Sequence, residues 1–322
     1  MKPGFHHKLL NSSFEDPCLY VRIAEEKRAV LFDAGDLGKL SFSDIFKTTD
    51  VFITHTHIDH FIGIDMILRA ILRRDVPLNL YGPPQILPCI EGKLKGYTWN
   101  LIHEYPTKIN VFSFNGKTLS HYVFRAKKRF KKEFIGRTKS DGLLLNGPVF
   151  KVRAALLDHG IACLGYSIEE DYHINIDKDI LIKKGLSAGP WLTDFKKIIR
   201  DNPRPGRILK IGGKPYRLAL LMDIARITKG QKISYITDIA INEKNILKAM
   251  ALVKDSDTLY CEAYFLEKDR DRAIERFHLT AKTCGLLAKK AGVKKLNLMH
   301  FSPRYKECPE LVIKEAFEEF NT

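Results

Sequence analysis

The chain has 322 residues, is 45% hydrophobic, and carries 53 Lys and Arg against 38 Asp and Glu, a formal net charge of +15. This length and apolar content suffice for one large domain with a deep core. No apolar run reaches the ~18–20 residues of a membrane span, and the first seven residues lack the apolar core of a secretory signal. The six cysteines form no CxxC pair. We therefore expect a cytoplasmic protein with reduced cysteines, and the excess of positive charge favours a polyanionic partner.

Strand-like and helix-like segments alternate along the chain. Strands are predicted around residues 19–23, 29–33, 51–54, 78–81, 149–156, 162–168, 232–237, 257–261 and 295–299. Apolar residues recurring with a period near 3.6 predict helices over residues 64–73, 245–253, 281–290 and 309–320. Together these elements predict an α/β protein with two sheets sandwiched by outer helices.

The motif Thr54-His55-Thr56-His57-Ile58-Asp59-His60 packs three imidazoles and a carboxylate directly behind an apolar run. His55 and His57 would share one side of a turn at a strand end, whereas Asp59 and His60 come around the bend and can serve a second ion. Imidazole and carboxylate ligands without thiolate suit a catalytic zinc that keeps a position open for water. The alternative is a solvated polar turn.

Three further residues with metal-binding side chains follow other predicted strands. They are His159, Asp238 and His300. Ligands gather at the carboxyl ends of strands in layered α/β proteins, because a rigid sheet edge holds several chain segments in register. Each residue alone is weak support for a metal site, and their shared placement is what favours one.

These motifs resemble the ribonuclease Z family of the metallo-β-lactamase superfamily. The resemblance runs through residues 32–36, 55–60 and 157–170, and it includes Glu262 and the segment that begins at His278. It implies an αββα four-layer sandwich over residues 1–322, a homodimer, and removal of the 3′ trailer from precursor tRNA. It also implies two Zn²⁺ ions, with Mn²⁺ as the alternative.

The resemblance assigns a role to each residue of the site. Its metal ligands would be His55, His57 and His159 for one ion, Asp59, His60 and His300 for the other, and Asp238 as the bridge. Asp33 would support a ligand from behind. The catalytic residues would be Asp59, His278 and Glu262. A hydroxide shared by the metals would attack phosphorus, while His278, oriented by Glu262, protonates the departing ribose oxygen and leaves a 3′-hydroxyl.

Two basic regions are predicted to bind RNA. The first interleaves cations with Phe130 and Phe134, a pattern typical of surfaces that contact phosphates and stack bases. Its cations are Arg125, Lys127, Lys128, Arg129, Lys131 and Lys132, extended by Arg137 and Lys139.

The second region, about 171–230, is rich in Pro, Gly and charge, and we interpret it as an insertion. The family resemblance implies an arm that grips tRNA, and Trp191 with the prolines equally suits a lid over the active site. Its candidate phosphate contacts are Lys183, Lys184, Lys196, Lys197, Arg200, Arg204 and Arg207.

Two alternative functions remain open at this point. A dinuclear zinc hydrolase of small phosphodiesters or other esters would use the same ligands without gripping RNA. A nucleic-acid-binding module with a metal-free site would keep the basic surface and lose the chemistry. Salt-sensitive binding of precursor tRNA together with trailer cleavage distinguishes the processing enzyme from both.

Overall fold

The structure, a computed structural model, describes residues 4–24, 26, 28–201 and 206–322. Two β-sheets lie face to face, and helices cover the outer face of each sheet. This is the four-layer α/β sandwich that the sequence predicts. No helix in these residues is long and apolar enough to span a membrane.

The first sheet has eight strands that lie side by side in chain order. They are β1 (Phe5–Leu9), β2 (Leu19–Ile23), β3 (Ala29–Phe32), β4 (Thr48–Phe52), β5 (Leu78–Gly82), β6 (Lys108–Phe114), β7 (Thr118–Arg125) and β8 (Lys132–Lys139). Strands β3 to β6 run parallel, and β7 and β8 return as antiparallel hairpin strands.

Ten more strands follow in the chain. They are β9 (Leu143–Asn146), β10 (Phe150–Asp158), β11 (Ala162–Glu170), β12 (Tyr172–Ile176), β13 (Ile208–Ile211), β14 (Lys214–Arg217), β15 (Ala225–Lys229), β16 (Lys232–Ile236), β17 (Thr258–Glu262) and β18 (Leu296–Met299). The second sheet has the order β18-β17-β16-β11-β10-β9, in which β16, β17 and β18 are parallel.

The described residues contain ten α-helices. They are α1 (Phe42–Lys47), α2 (Ile58–Phe61), α3 (Ile64–Ile71), α4 (Ile86–Lys95), α5 (Lys178–Lys183), α6 (Trp191–Asp201), α7 (Glu243–Val253), α8 (Arg270–Glu275), α9 (Ala281–Lys290) and α10 (Pro309–Asn321). Helices α1, α3 and α4 cover the first sheet, and α7, α9 and α10 cover the second.

The outer helices bury one face each, as their sequences require. In α3 the large buried residues are Ile64, Ile67, Leu68 and Ile71, which fall at the i, i+3, i+4, i+7 spacing of one helix face, and the small Ala70 beside them is also buried.

Helices α9 and α10 approach more closely than side chains allow. A Cβ atom added at Gly285 would lie 2.1 Å from the Ala316 carbonyl oxygen. Glycine is therefore required at this crossing.

Stacked aromatic rings fill the space between the sheets beneath the edge where the predicted ligands lie. The Phe32 ring lies 5.4 Å from Phe52, 5.7 Å from Tyr166 and 6.0 Å from Tyr235, centroid to centroid. All four side chains are buried, and burying a phenylalanine stabilises a fold by roughly 1.5–3 kcal/mol. The Tyr166 hydroxyl donates to the Ile53 carbonyl at 2.6 Å, which fixes the start of the histidine-rich turn.

Residues 172–229 form a small substructure inserted between β11 and β16. Strand β12 pairs with β15, β13 pairs with β14, and helices α5 and α6 complete it. It has its own apolar cluster, in which Phe195, Leu218 and Ile224 are fully buried.

Strand direction places this insertion at the opposite edge of the sandwich from the predicted ligands. Asp238 and His300 follow the carboxyl ends of β16 and β18, whereas the insertion joins the end of β11 to the start of antiparallel β16. The turn between β7 and β8 also lies at this opposite edge, because β7 runs antiparallel to β6. Nine-residue β11 separates the two edges by roughly 30 Å.

Candidate active site

The seven predicted ligands converge at one edge of the sandwich, where strands of both sheets end. His55, His57, Asp59 and His60 lie in the turn after β4 and on helix α2. The remaining ligands each follow a strand of the second sheet, namely His159 after β10, Asp238 after β16 and His300 after β18. Asp33 follows β3 and lies behind the cluster.

Three of these residues have left-handed backbones. The φ angles are 57° at Asp33, 54° at Asp238 and 54° at His300. Asp and His tolerate this region better than most residues, yet each such conformation costs about 1 kcal/mol or more. The chain bends sharply at each strand end, and three of the seven left-handed non-glycine residues in the described chain lie at the cluster.

Potential ligand atoms form overlapping groups. Within each group all of the atoms lie within 4.8 Å of one another. The groups are His55, His57 and His159; His55, His60 and Asp238; Asp59, His60 and His300; and Asp238, Glu262, His278 and His300. No thiol of the described residues belongs to any of these groups. The arrangement therefore offers two adjacent sets of nitrogen and oxygen ligands with Asp238 between them.

Several buried nitrogens lack a partner in the described structure, namely His55 Nε2, His60 Nε2 and His300 Nδ1. His60 Nε2 lies 2.9 Å from Asp238 Oδ2, but the angles at this contact do not make a hydrogen bond. Buried polar atoms without partners are costly, and a cation between them would satisfy the nitrogens and the carboxylate together. The residues present therefore fit a metal centre.

Without a metal ion, the pKa values of the imidazoles in the cluster shift in opposite directions. Burial, reinforced by the nearby His60 ring, lowers the pKa of His55 to about 2, so its nitrogen lone pair is free at neutral pH. Burial alone would lower the pKa of His300, but the carboxylates of Asp238, Asp59 and Glu262 together outweigh it and raise that pKa to about 10. The pKa of His60 is raised likewise by Asp33 and Asp238. A metal ion would displace these two protons.

Asp33 orients His60 from behind. Its Oδ2 accepts from His60 Nδ1 at 2.8 Å and from the Tyr235 hydroxyl at 3.1 Å, while Oδ1 accepts from the Thr54 amide at 2.7 Å. These bonds fix the ring and leave His60 Nε2 facing the cluster. Asp33 belongs to none of the ligand groups.

His159 is oriented by a backbone carbonyl. Its Nδ1 donates to the Phe277 carbonyl oxygen at 2.8 Å, and a carbonyl oxygen only accepts. Nδ1 therefore carries a proton, and Nε2 faces the cluster, 3.8 Å from Asp238 Oδ1.

The predicted His278 and Glu262 pair forms beside the cluster. Their Nδ1 and Oε2 atoms are 2.8 Å apart, and His278 Nδ1 also lies 3.2 Å from Asp238 Oδ1. Glu262 is fully buried, and its other oxygen accepts from the amides of Ile239 and Leu279.

Sequence reasoning missed Tyr264, whose ring stacks on His278 at 3.9 Å with an interplanar angle of 7°. The stacking depends on tertiary packing, so no local pattern indicates it.

The first basic region departs from the expected RNA-binding surface. Phe130 is 4% exposed, and its ring centroid lies 4.8 Å from that of Trp99, so it is unable to stack on a base. Phe134 is 58% exposed.

The cations of this region are partly paired with carboxylates. Arg125 and Lys128 both pair with Glu133. Lys132 pairs with Glu91, whereas Lys127, Arg129 and Lys131 are exposed. The sequence alone did not indicate that Phe130 is buried or that three of the six cations, Arg125, Lys128 and Lys132, are paired.

The second basic region lies on the insertion. Lys183 and Lys197 are exposed, and Lys184 contacts Asp223 at 3.0 Å. Lys196 and Lys197 line a cavity of about 930 Å³ between the insertion and the turns that precede β3 and β10. Arg204 lies outside the described residues.

The insertion is not a lid over the cluster of its own chain. It is attached at the opposite edge of the second sheet, roughly 30 Å away. That alternative is therefore wrong for a single copy.

Comparison with known proteins identifies relatives of this chain in sequence and in fold. No protein-family model matches the chain. It is 29% identical to ribonuclease Z of Deinococcus radiodurans over 283 residues, covering 87% of this chain and 84% of that one. It is 30% identical to ribonuclease Z of Nanoarchaeum equitans over 288 residues, covering 86% and 76%.

Among solved structures, the metallo-β-lactamase fold protein YhfI from Bacillus subtilis is similar, with a TM-score of 0.57 at 15% identity. The match covers 98% of this chain and 92% of that one, and it confirms the predicted fold. With a relative at 30% identity aligned over most of both chains, the chain belongs to the ribonuclease Z family.

Proposed function

We propose that this chain is a metal-dependent endoribonuclease that removes the 3′ trailer from precursor tRNA in the cytoplasm. The observation that carries the proposal is the convergence of the seven ligand side chains beside the His278 and Glu262 pair. Membership of the ribonuclease Z family supports RNA as the substrate, and the net charge of +15 suits a polyanion.

The metal centre would hold two zinc ions. His55, His57 and His159 would bind one ion, Asp59, His60 and His300 the other, and Asp238 both. Imidazole and carboxylate ligands without thiolate favour catalytic zinc, with manganese as an alternative. When bound, two such ions supply a water-derived nucleophile near neutral pH and neutralise charge at phosphorus.

The chain's own residues would orient the reactants and move the proton. His278 would donate a proton to the ribose oxygen as that oxygen leaves phosphorus, because the imidazole lies beside the cluster and Glu262 holds its Nδ1. Tyr264 would keep the ring in plane. The Asp59 side chain is 37% exposed, which suits a carboxylate that also positions the attacking water.

The insertion would bind the tRNA body away from the cleavage point. Its exposed lysines and the cavity beside Lys196 and Lys197 support phosphate contacts. Because this surface lies roughly 30 Å from the cluster of its own chain, we propose a homodimer in which it serves the partner's cluster. A monomeric mass in solution at working concentration would overturn the dimer and leave the chemistry intact.

Cleavage of a precursor tRNA with added zinc or manganese tests the function. The expected result is one endonucleolytic cut after the tRNA body, leaving a 3′-hydroxyl, with binding that weakens steeply as salt rises. Turnover of small phosphodiesters with indifference to precursor tRNA would overturn the proposal in favour of the small-ester hydrolase.

A further inference from the structure

Phe277 occupies a backbone position that normally requires glycine. Helix α8 ends in a pair of hydrogen bonds, from the Phe277 amide to the Ile274 carbonyl at 3.3 Å and from the His278 amide to the Ala273 carbonyl at 2.9 Å. This is the Schellman ending, in which the residue after the cap is left-handed and usually glycine. Here the residue is phenylalanine, with φ of 61°.

The position of Phe277 is tied to the metal cluster. Its carbonyl oxygen accepts the His159 Nδ1 proton, and its ring centroid lies 6.4 Å from that of His159. His278, the next residue, is the proposed acid. The Phe277 ring therefore has a defined place at the mouth of the active site.

Burial does not explain the aromatic side chain. Phe277 is 41% exposed. One side of the ring lies against Gly160, where an added Cβ would be 2.9 Å from ring carbon Cε2. Strained backbone conformations cluster at active sites and ligand contacts. Here such a backbone holds a partly exposed ring against a glycine that makes room for it.

We propose that the Phe277 ring is a stacking platform for the nucleobase that flanks the scissile phosphodiester. The inference rests on the proposed function. It adds that stacking on Phe277 would favour RNA that is single-stranded at the cleavage point. Aromatic rings bind bases of any type by stacking. Arg272 and Arg276 are exposed on the same short segment, and in this proposal they would contact the neighbouring phosphates.

A coupling experiment between protein and RNA tests the platform. Precursor tRNAs carrying an abasic nucleotide on either side of the cleavage point would be cleaved by the metal-loaded wild type and by Phe277→Gly, Phe277→Trp and Ile274→Ala. Glycine removes the ring and suits the left-handed backbone, tryptophan keeps a stacking face, and Ile274 is an exposed apolar control on α8. Thermal unfolding and metal content of each variant are measured alongside.

For the wild type, one of the two abasic positions should lower kcat/KM by about 10-fold or more. Phe277→Gly should show that loss on the intact precursor and no further loss at that abasic position, whereas Phe277→Trp and Ile274→Ala should resemble the wild type. Two results would overturn the stacking proposal while trailer cleavage stands. One is that the losses in kcat/KM from Phe277→Gly and from the abasic nucleotide multiply, and the other is that Phe277→Gly has the wild-type kcat/KM. If the wild type cleaves no precursor tRNA, the proposed function fails and the platform with it.

Discussion

The two edges of the sandwich differ in how strictly chemistry limits their residues. At the ligand edge, each side chain must offer a nitrogen or oxygen atom, and His55, Asp238 and their neighbours converge within a few ångströms. At the opposite edge, the insertion and the β7–β8 turn need only expose positive charge, and many arrangements of lysine and arginine would serve. Metal-ligand residues can therefore be recognised in a sequence. Whether a lysine or arginine is able to bind RNA depends instead on which residues pack beside it in the fold.

The largest expected effect comes from removing the shared carboxylate. In Asp238→Asn the buried charge between the two ligand sets disappears, so the protein should bind less than one equivalent of zinc and trailer cleavage should fall below detection. Elemental analysis and the cleavage assay measure both. Asp223→Asn, which removes the carboxylate that pairs with Lys184 on the insertion, should leave both unchanged. Full metal content and activity in Asp238→Asn would contradict the claim that chemistry limits the residues of the ligand edge more strictly than those of the opposite edge.

Substitution of the proposed acid should have the next largest effect. His278→Ala should lower kcat by about 10²–10⁴-fold with zinc content and KM near wild type, because only the proton donor is removed. Tyr264→Phe is the matched control, since it keeps the ring that stacks on His278. Because His278 Nδ1 lies 3.2 Å from Asp238, the zinc content of the variant distinguishes a proton donor from a metal ligand. Loss of zinc in His278→Ala would make His278 a ligand and not the acid.

A smaller loss is expected from the carboxylate behind the cluster. Asp33→Asn keeps the side-chain shape but loses the charge that orients His60, so metal affinity or kcat/KM should fall by about 10–100-fold. Asp50→Asn is a suitable comparison, because Asp50 is buried in the same sheet and bonds Asn79 instead of a ligand. Zinc titrations should separate the two variants. Equal effects on zinc affinity would indicate that Asp33 acts through stability alone.

Most of the fold and the ligand-type residues were predictable, for identifiable reasons. Strands such as β2 and β11 are apolar runs that end in turns, and α3 shows one buried face, so periodicity predicts them. Edge strand β8 is largely exposed on both faces and has no alternation to detect. Tyr264 and Phe277 owe their places to tertiary packing and a helix ending. Phe130 resembled an exposed base-stacking residue because its packing against Trp99 joins distant parts of the sequence.

The smallest expected effect lies at the opposite edge, where exposed lysines each bind one phosphate. Lys183→Gln combined with Lys197→Gln should raise KM for precursor tRNA several-fold with kcat unchanged, because these residues lie far from the cluster. The slope of log affinity against log salt should fall by about one for each phosphate that the substituted side chains no longer bind.

The matched control for the lysine pair is Lys289→Gln with Lys290→Gln, which removes the same net charge from exposed positions on α9. If net charge alone attracts RNA, both double variants will lose affinity equally, and the insertion has no special role. If only the insertion variant loses affinity and shows a shallower salt dependence of binding, the RNA is held at a defined surface.

A mixed dimer gives a sharper form of the test. When the insertion variant is paired with Asp238→Asn, one chain has an intact cluster and the other has an intact insertion. Cleavage with a wild-type KM in that mixture requires the insertion to act on its partner, because no single chain then has both surfaces intact.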